Sequence, residues 1–93
     1  MNNIILLGKV NEAPTLKTLR TGEMQVKLKL SVTAFRQNKK MIKRNHNVEI
    51  RGRQAEVVAN NVTIGTPVMI EGKLQVKGDR VSVRANRVQL LGD

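Results

Sequence analysis

Along most of this chain an aliphatic residue alternates with a basic or small polar one, and this period of two constrains the fold more than any other feature. Val26-Lys27-Leu28-Lys29-Leu30 and Val81-Ser82-Val83-Arg84-Ala85 show it plainly. Side chains on a strand point alternately to opposite faces, so such segments build a sheet with one apolar and one cationic face. Seventeen Lys and Arg residues stand against seven Asp and Glu, a formal charge of +10 in 93 residues. They are spread through the strands and not gathered in a tail. A folded cationic sheet face is chiefly useful for holding a polyanion.

The first strand is expected from Ile4 to Val10, with a kink at Pro14 and a continuation from Thr15 to Arg20. Arg20-Thr21-Gly22-Glu23 reads as a turn. Met24 to Phe35 alternates strictly, with Val26, Leu28, Leu30, Val32 and Ala34 inward. Residues 36–40 form a polar hairpin tip, and Met41 to Arg51 a third strand with Val48 and Ile50 inward and Asn45, Asn47, Glu49 and Arg51 outward. The period changes over 54–61, which reads as a two-turn helix closed by Asn60-Asn61 and Gly65. The fourth strand, Val68 to Lys77, is expected to bury Val68, Ile70, Leu74 and Val76 and to bend at Gly72. Lys77-Gly78-Asp79-Arg80 is a tight turn. In the last strand, Val81 to Leu91, the inward parity slips between Ala85 and Val88, which predicts a bulge at Asn86 and Arg87.

Ninety-three residues are enough for one core, so residues 1–93 are expected to be a single domain. The hydrophobic fraction of 40%, mostly Val, Leu and Ile, favours a β-rich globule over disorder. With no cysteine there are neither disulfides nor thiolate metal sites, and an intracellular setting is expected. Ile4-Ile5-Leu6-Leu7 is too short for a signal peptide or a membrane span. Membrane-surface binding would call for a basic amphipathic helix, and none is visible, so nucleic acid is the favoured partner. Five strands with one short helix between the third and fourth describe an all-β OB-fold barrel, whose closure removes exposed edges. An SH3-like barrel would not place a helix there.

The residues so placed resemble the bacterial single-stranded DNA-binding protein family. Its opening strand is similar to Asn3-Ile4-Ile5-Leu6-Leu7-Gly8-Lys9-Val10 with Pro14. Its third strand and helix start resemble residues 46–57, from His46-Asn47-Val48-Glu49-Ile50-Arg51-Gly52. Its fourth strand resembles Gly65 with Val68-Met69-Ile70-Glu71-Gly72-Lys73-Leu74. The likeness covers nearly the whole chain and extends to the dimeric primosomal PriB proteins. It implies an OB-fold, dimers or tetramers, and sequence-tolerant binding of single strands. Departures stand beside it. The family stacks bases on aromatic rings, and Phe35 is the one aromatic residue here. Phe35 before Arg36, and Asn45 before His46, lie close to or at positions where the family carries tryptophan. Arg51 stands where a phenylalanine is usual. The hairpin at Gly78-Asp79 is shorter than the family's DNA-embracing loop. The sequence stops at Gly92-Asp93, short of the acidic tip that recruits other replication proteins, so strand binding is expected ahead of a hub role.

The expected binding surface takes Lys27, Lys29, Phe35 and Arg36 from the second strand and Lys39, Lys40 and Lys43 from around the hairpin. Asn45, Arg51 and Arg53 extend it, and Lys73, Lys77, Arg80 and Arg84 flank its other side. Each alone could be a solvated surface charge; the one-sided set is harder to dismiss, because it costs self-repulsion. With little stacking, counterion release should dominate binding, and a guanidinium plane such as that of Arg51 can stand in for a ring. Phe35 fits a subunit contact and a stacking surface equally well. Ile4, Ile5, Leu6 and Leu7 are expected at an oligomer interface, with His46 there or in the core. A lone histidine makes a poor metal site, and no cofactor is expected. No nucleophile set or phosphate-binding glycine loop can be assembled, so no enzyme activity is expected. The expected function is binding of single-stranded DNA in replication or repair, with RNA also open, by a homodimer or homotetramer in the cytoplasm at the nucleoid, or in an organelle. The alternatives are a primosome accessory protein meeting replication partners and an oligomerisation module whose charge serves solubility.

Overall fold

The computed structural model describes residues 3–35 and 41–92, with 33–35 and 41–43 given by their backbone. Five strands and one helix follow in the order β1 (Asn3–Thr18), β2 (Met24–Phe35), β3 (Met41–Arg51), α1 (Arg53–Asn61), β4 (Pro67–Lys77) and β5 (Arg80–Leu90). They form a closed barrel, β1-β2-β3-β5-β4, sealed by a short parallel contact in which Val48 meets Val83 and Glu49 meets Arg84. This is the OB-fold that the sequence predicts. The alternating residues account for it: Val26, Leu28, Leu30, Val48, Ile50, Val68, Ile70 and Val83 are buried together, while their odd-numbered neighbours on β2 and most of those on β3 face outward. Burying each such side chain contributes about 1.5–3 kcal/mol, which fixes register, since a one-residue slip would expose the whole set.

Strand β1 serves two neighbours. Residues 3–9 pair with β4 and residues 9–18 with β2, and the register is broken between Val10 and Thr15, where Pro14 was expected to kink the strand. Gly8 sits at the crossing, where an added Cβ would collide with the Ser31 carbonyl oxygen. The strand ends at Thr18, two residues before the expected limit, and turns through Gly22 at φ 90. On β5, Glu71 pairs with Arg87 and Gly72 with Ala85, leaving Asn86 as the extra residue. The parity slip in the sequence is thus a bulge. Gln54 of α1 braces it, accepting from the Val88 amide (2.9 Å) and donating to the Asn86 carbonyl (3.0 Å).

On the β4–β5 hairpin the expected burial fails. Leu74 and Val76 have inward parity but are 48% and 67% exposed, and Val81 opposite Val76 is 54% exposed. Pairing of β4 with β1 stops at Lys73, and pairing of β5 with β3 begins at Val83. From residue 74 to 82 the hairpin therefore projects as a two-stranded arm with no core beneath it. Glu49, placed outward by its parity, is on the outer face but only 5% exposed, covered by the polar cluster described next.

Candidate nucleic-acid interface

Outside the barrel, β1, β2 and β3 present rows of side chains. Lys29 lies between Glu12 and Asn47, Lys27 between Thr15 and Glu49, and Gln25 between Lys17 and Arg51. Because β3 joins β5 edge to edge, this face continues onto the β4–β5 arm, where Gln75 is opposite Ser82 and Lys77 opposite Arg80. The two surfaces enclose a cleft of about 750 Å³. Lys27 and Lys29 line one wall, Lys77 and Arg80 the other.

A polar cluster ties the arm to the barrel. Gln75 Nε2 donates to Glu49 Oε2 at 3.2 Å and to Ser82 Oγ at 3.1 Å, while Arg51 Nε donates to Glu49 Oε1 at 2.8 Å. Burial pushes the Glu49 carboxyl up. The Arg51 hydrogen bond and charge, with the Gln75 and Gln25 amides, outweigh this and hold it below its ordinary value. Glu49 is therefore an anion at neutral pH with all its charge answered locally.

Of the expected binding residues, the fold brings Lys27, Lys29, Lys77 and Arg80 together in the cleft. Arg51 stands beside it, in the row next to Lys27 and Glu49. Lys73 and Arg84 pair with each other further along the outer face, and Arg53 is exposed at the start of α1. Asn45 is held by Asn11 Nδ2, which donates to its Oδ1 at 3.2 Å. Phe35 and Lys43 occupy β2 and β3 positions at the hairpin end, while Arg36, Lys39 and Lys40 lie outside the described residues. The cleft is also less one-sided than the sequence pattern suggests, because Glu12, Glu49 and Asp79 line it as well. Lys29 Nζ is 3.6 Å from Glu12, an exposed pair. Asn47, Gln75 and Ser82 belong to the site too; following outward parity along β3 and the arm would have found them. Nothing local marks Glu12, because the register break intervenes.

On the β1–β4 side the outer face is different. Ile5 and Leu7 are 63% and 59% exposed, with Glu71 and Met69 as their β4 neighbours. Ile4 and Leu6, expected at the same interface, turn instead toward the core and pack against it half-buried. His46 is half-buried opposite Leu30, on the inward side. Among the described residues no group of three His, Cys, Asp or Glu side chains could hold a metal ion, and no helix is long and apolar enough to cross a membrane.

A closed five-stranded barrel with a helix between its third and fourth strands defines an OB-fold, and its cleft is lined by four cations and three carboxylates. The profile of the single-strand binding protein family matches residues 1–92, and the chain belongs to that family. Its members bind single-stranded DNA, usually as oligomers, and act by binding and not by catalysis.

Proposed function

We propose that this protein covers single-stranded DNA without sequence preference during replication or repair, holding the sugar–phosphate chain between the β2–β3 face and the β4–β5 arm. The observation that supports this most is the pairing of opposed cationic walls, Lys27 and Lys29 against Lys77 and Arg80, across one cleft. Phosphates between them displace counterions from the strand, and the affinity gained is independent of base identity. Lys73, Arg84 and Arg53 extend the track beyond the cleft.

The exposed Ile5 and Leu7 form the contact for a second copy, since two such neighbours on a flat strand face are costly to leave wet. An isologous pairing there puts two clefts on one particle, so that a strand long enough to reach both gains avidity. Anisotropy of a labelled thymidine oligomer, titrated at several salt concentrations, tests the reading. With about five side chains engaged, the slope of log K against log salt should be near −3.5. An absence of binding at low salt would leave only an oligomerisation module. A uridine oligomer in parallel measures whether RNA is held equally.

A further inference from the structure

Unbroken alternation would send Glu12 into the barrel, because it lies two residues after Val10, whose side chain is in the core. The structure turns it outward instead. Val10 pairs with Leu30 and Glu12 with Lys29, so two steps along β1 match one along β2, and Asn11 is the extra residue of a bulge. The bulge is fastened at both Val10 and Asn11. The Val10 amide donates to the Thr66 carbonyl at 3.0 Å, and its carbonyl accepts from the Gly65 amide at 2.7 Å. Asn11 Nδ2 reaches across β2 to donate to Asn45 Oδ1 at 3.2 Å. The outcome is a carboxylate in the cleft, 3.6 Å from Lys29 Nζ, with both side chains exposed. Lys27, Lys77 and Arg80 make no ion pair among the described residues. Lys29 alone of the four cleft cations therefore carries a counter-charge before any strand arrives. An exposed pair of this kind is weak and screened by salt, so a phosphate can displace the carboxylate.

We propose that Glu12 competes with the DNA backbone for Lys29, its carboxylate standing where a phosphate oxygen binds, so that docking of a strand exchanges one anion for another at this position. This rests on the cleft being the DNA site. The bulge in β1 then sets affinity: it delivers to the cation row a carboxylate that regular alternation would not place there. Lys27 meets its phosphate without a rival and Lys29 meets one only by displacing Glu12, which keeps the grip of the cleft moderate and reversible.

The test uses the full chain and a labelled thymidine oligomer across a salt series, with circular dichroism confirming that each variant is folded. Glu12→Gln keeps the shape and removes the charge. It should tighten binding about fourfold at low salt, and the gain should shrink as salt rises, because the ion pair it removes is itself screened. In a Lys29→Ala background most of that gain should disappear. Asp79→Asn removes a cleft carboxylate that makes no ion pair among the described residues, and its effect should be the same with or without Lys29. No gain from Glu12→Gln, or a gain undiminished by Lys29→Ala, would overturn the assignment. Lys27→Ala separates the two readings and should reduce the salt slope by about 0.7. Unchanged binding there would remove the cleft as the DNA site and the competition with it. Weaker binding there beside an inert Glu12→Gln would remove the competition alone.

Discussion

The two halves of β1 present different outer faces. Residues 3–9 turn Ile4 and Leu6 to the core and Ile5 and Leu7 to solvent beside Met69 of β4. Residues 9–18 turn Val10 inward and show Lys9, Glu12, Thr15 and Lys17 outward beside the lysines of β2. Barrel formation depends on the inner set alone, since that is what leaves water. The outer set is free to vary, and here it makes one half an apolar surface, with Ile5 and Leu7 exposed, and the other a polar one, with Lys9, Glu12 and Lys17 exposed. The break between Val10 and Thr15 keeps the two apart on a single strand.

The largest expected effect tests the apolar half. Leu7→Asp should cost self-association about 3 kcal/mol, roughly a hundredfold, by placing a charge in a contact that cannot pair it. Sedimentation equilibrium reads this, while a short oligomer should bind each protomer as before; an unchanged particle mass would mean the seam lies elsewhere. Gly8→Ala strikes the crossing between the halves. With the Ser31 carbonyl in the way, a methyl group should force the strands apart and cost about 2 kcal/mol in urea unfolding. Removing Lys27 and Lys29 together probes the polar half, and should lower the salt slope by about 1.4 with the oligomer intact.

The smallest effect concerns Glu49, opposite Lys27 in that half. Its folded pKa lies below the ordinary 4.5, so its stabilising contribution is complete above that pH and is lost as the pH falls through the folded value. Glu49→Gln should therefore be less stable than wild type at neutral pH, with the gap closing in acid. A gap constant with pH would show that the carboxylate charge contributes nothing.

Strand β2 was legible to its end residues because nothing interrupts its alternation, β3 because the polar tip at 36–40 and the change of period after Arg51 bound it, and the Asn86 bulge because it shifts parity. Leu74 and Val76 were misread for a definite reason. Alternation tells which face a side chain takes, but a buried face also needs a strand or sheet across from it, and beyond Lys73 the arm has none. The outward side of Glu49 was legible, but its burial was not, because its cover comes from Gln75, twenty-six residues away in sequence. In the site, the cations of the cleft followed from outward parity on β2 and around the β4–β5 turn. Of the carboxylates among them, Glu49 followed from the same parity on β3. Asp79 and Glu12 did not, since Asp79 comes from the turn and Glu12 from the irregular stretch of β1, where no simple period applies.

The Gln75–Glu49 amide–carboxylate contact ties the β4–β5 arm to the barrel, and the cleft between them is a partly open groove. On the proposed reading, a strand would be laid in sideways, at any point of its length, with no need for a free end to thread. Copies could load onto gaps and closed circles as readily as onto tails, and could leave one by one from the middle of a row.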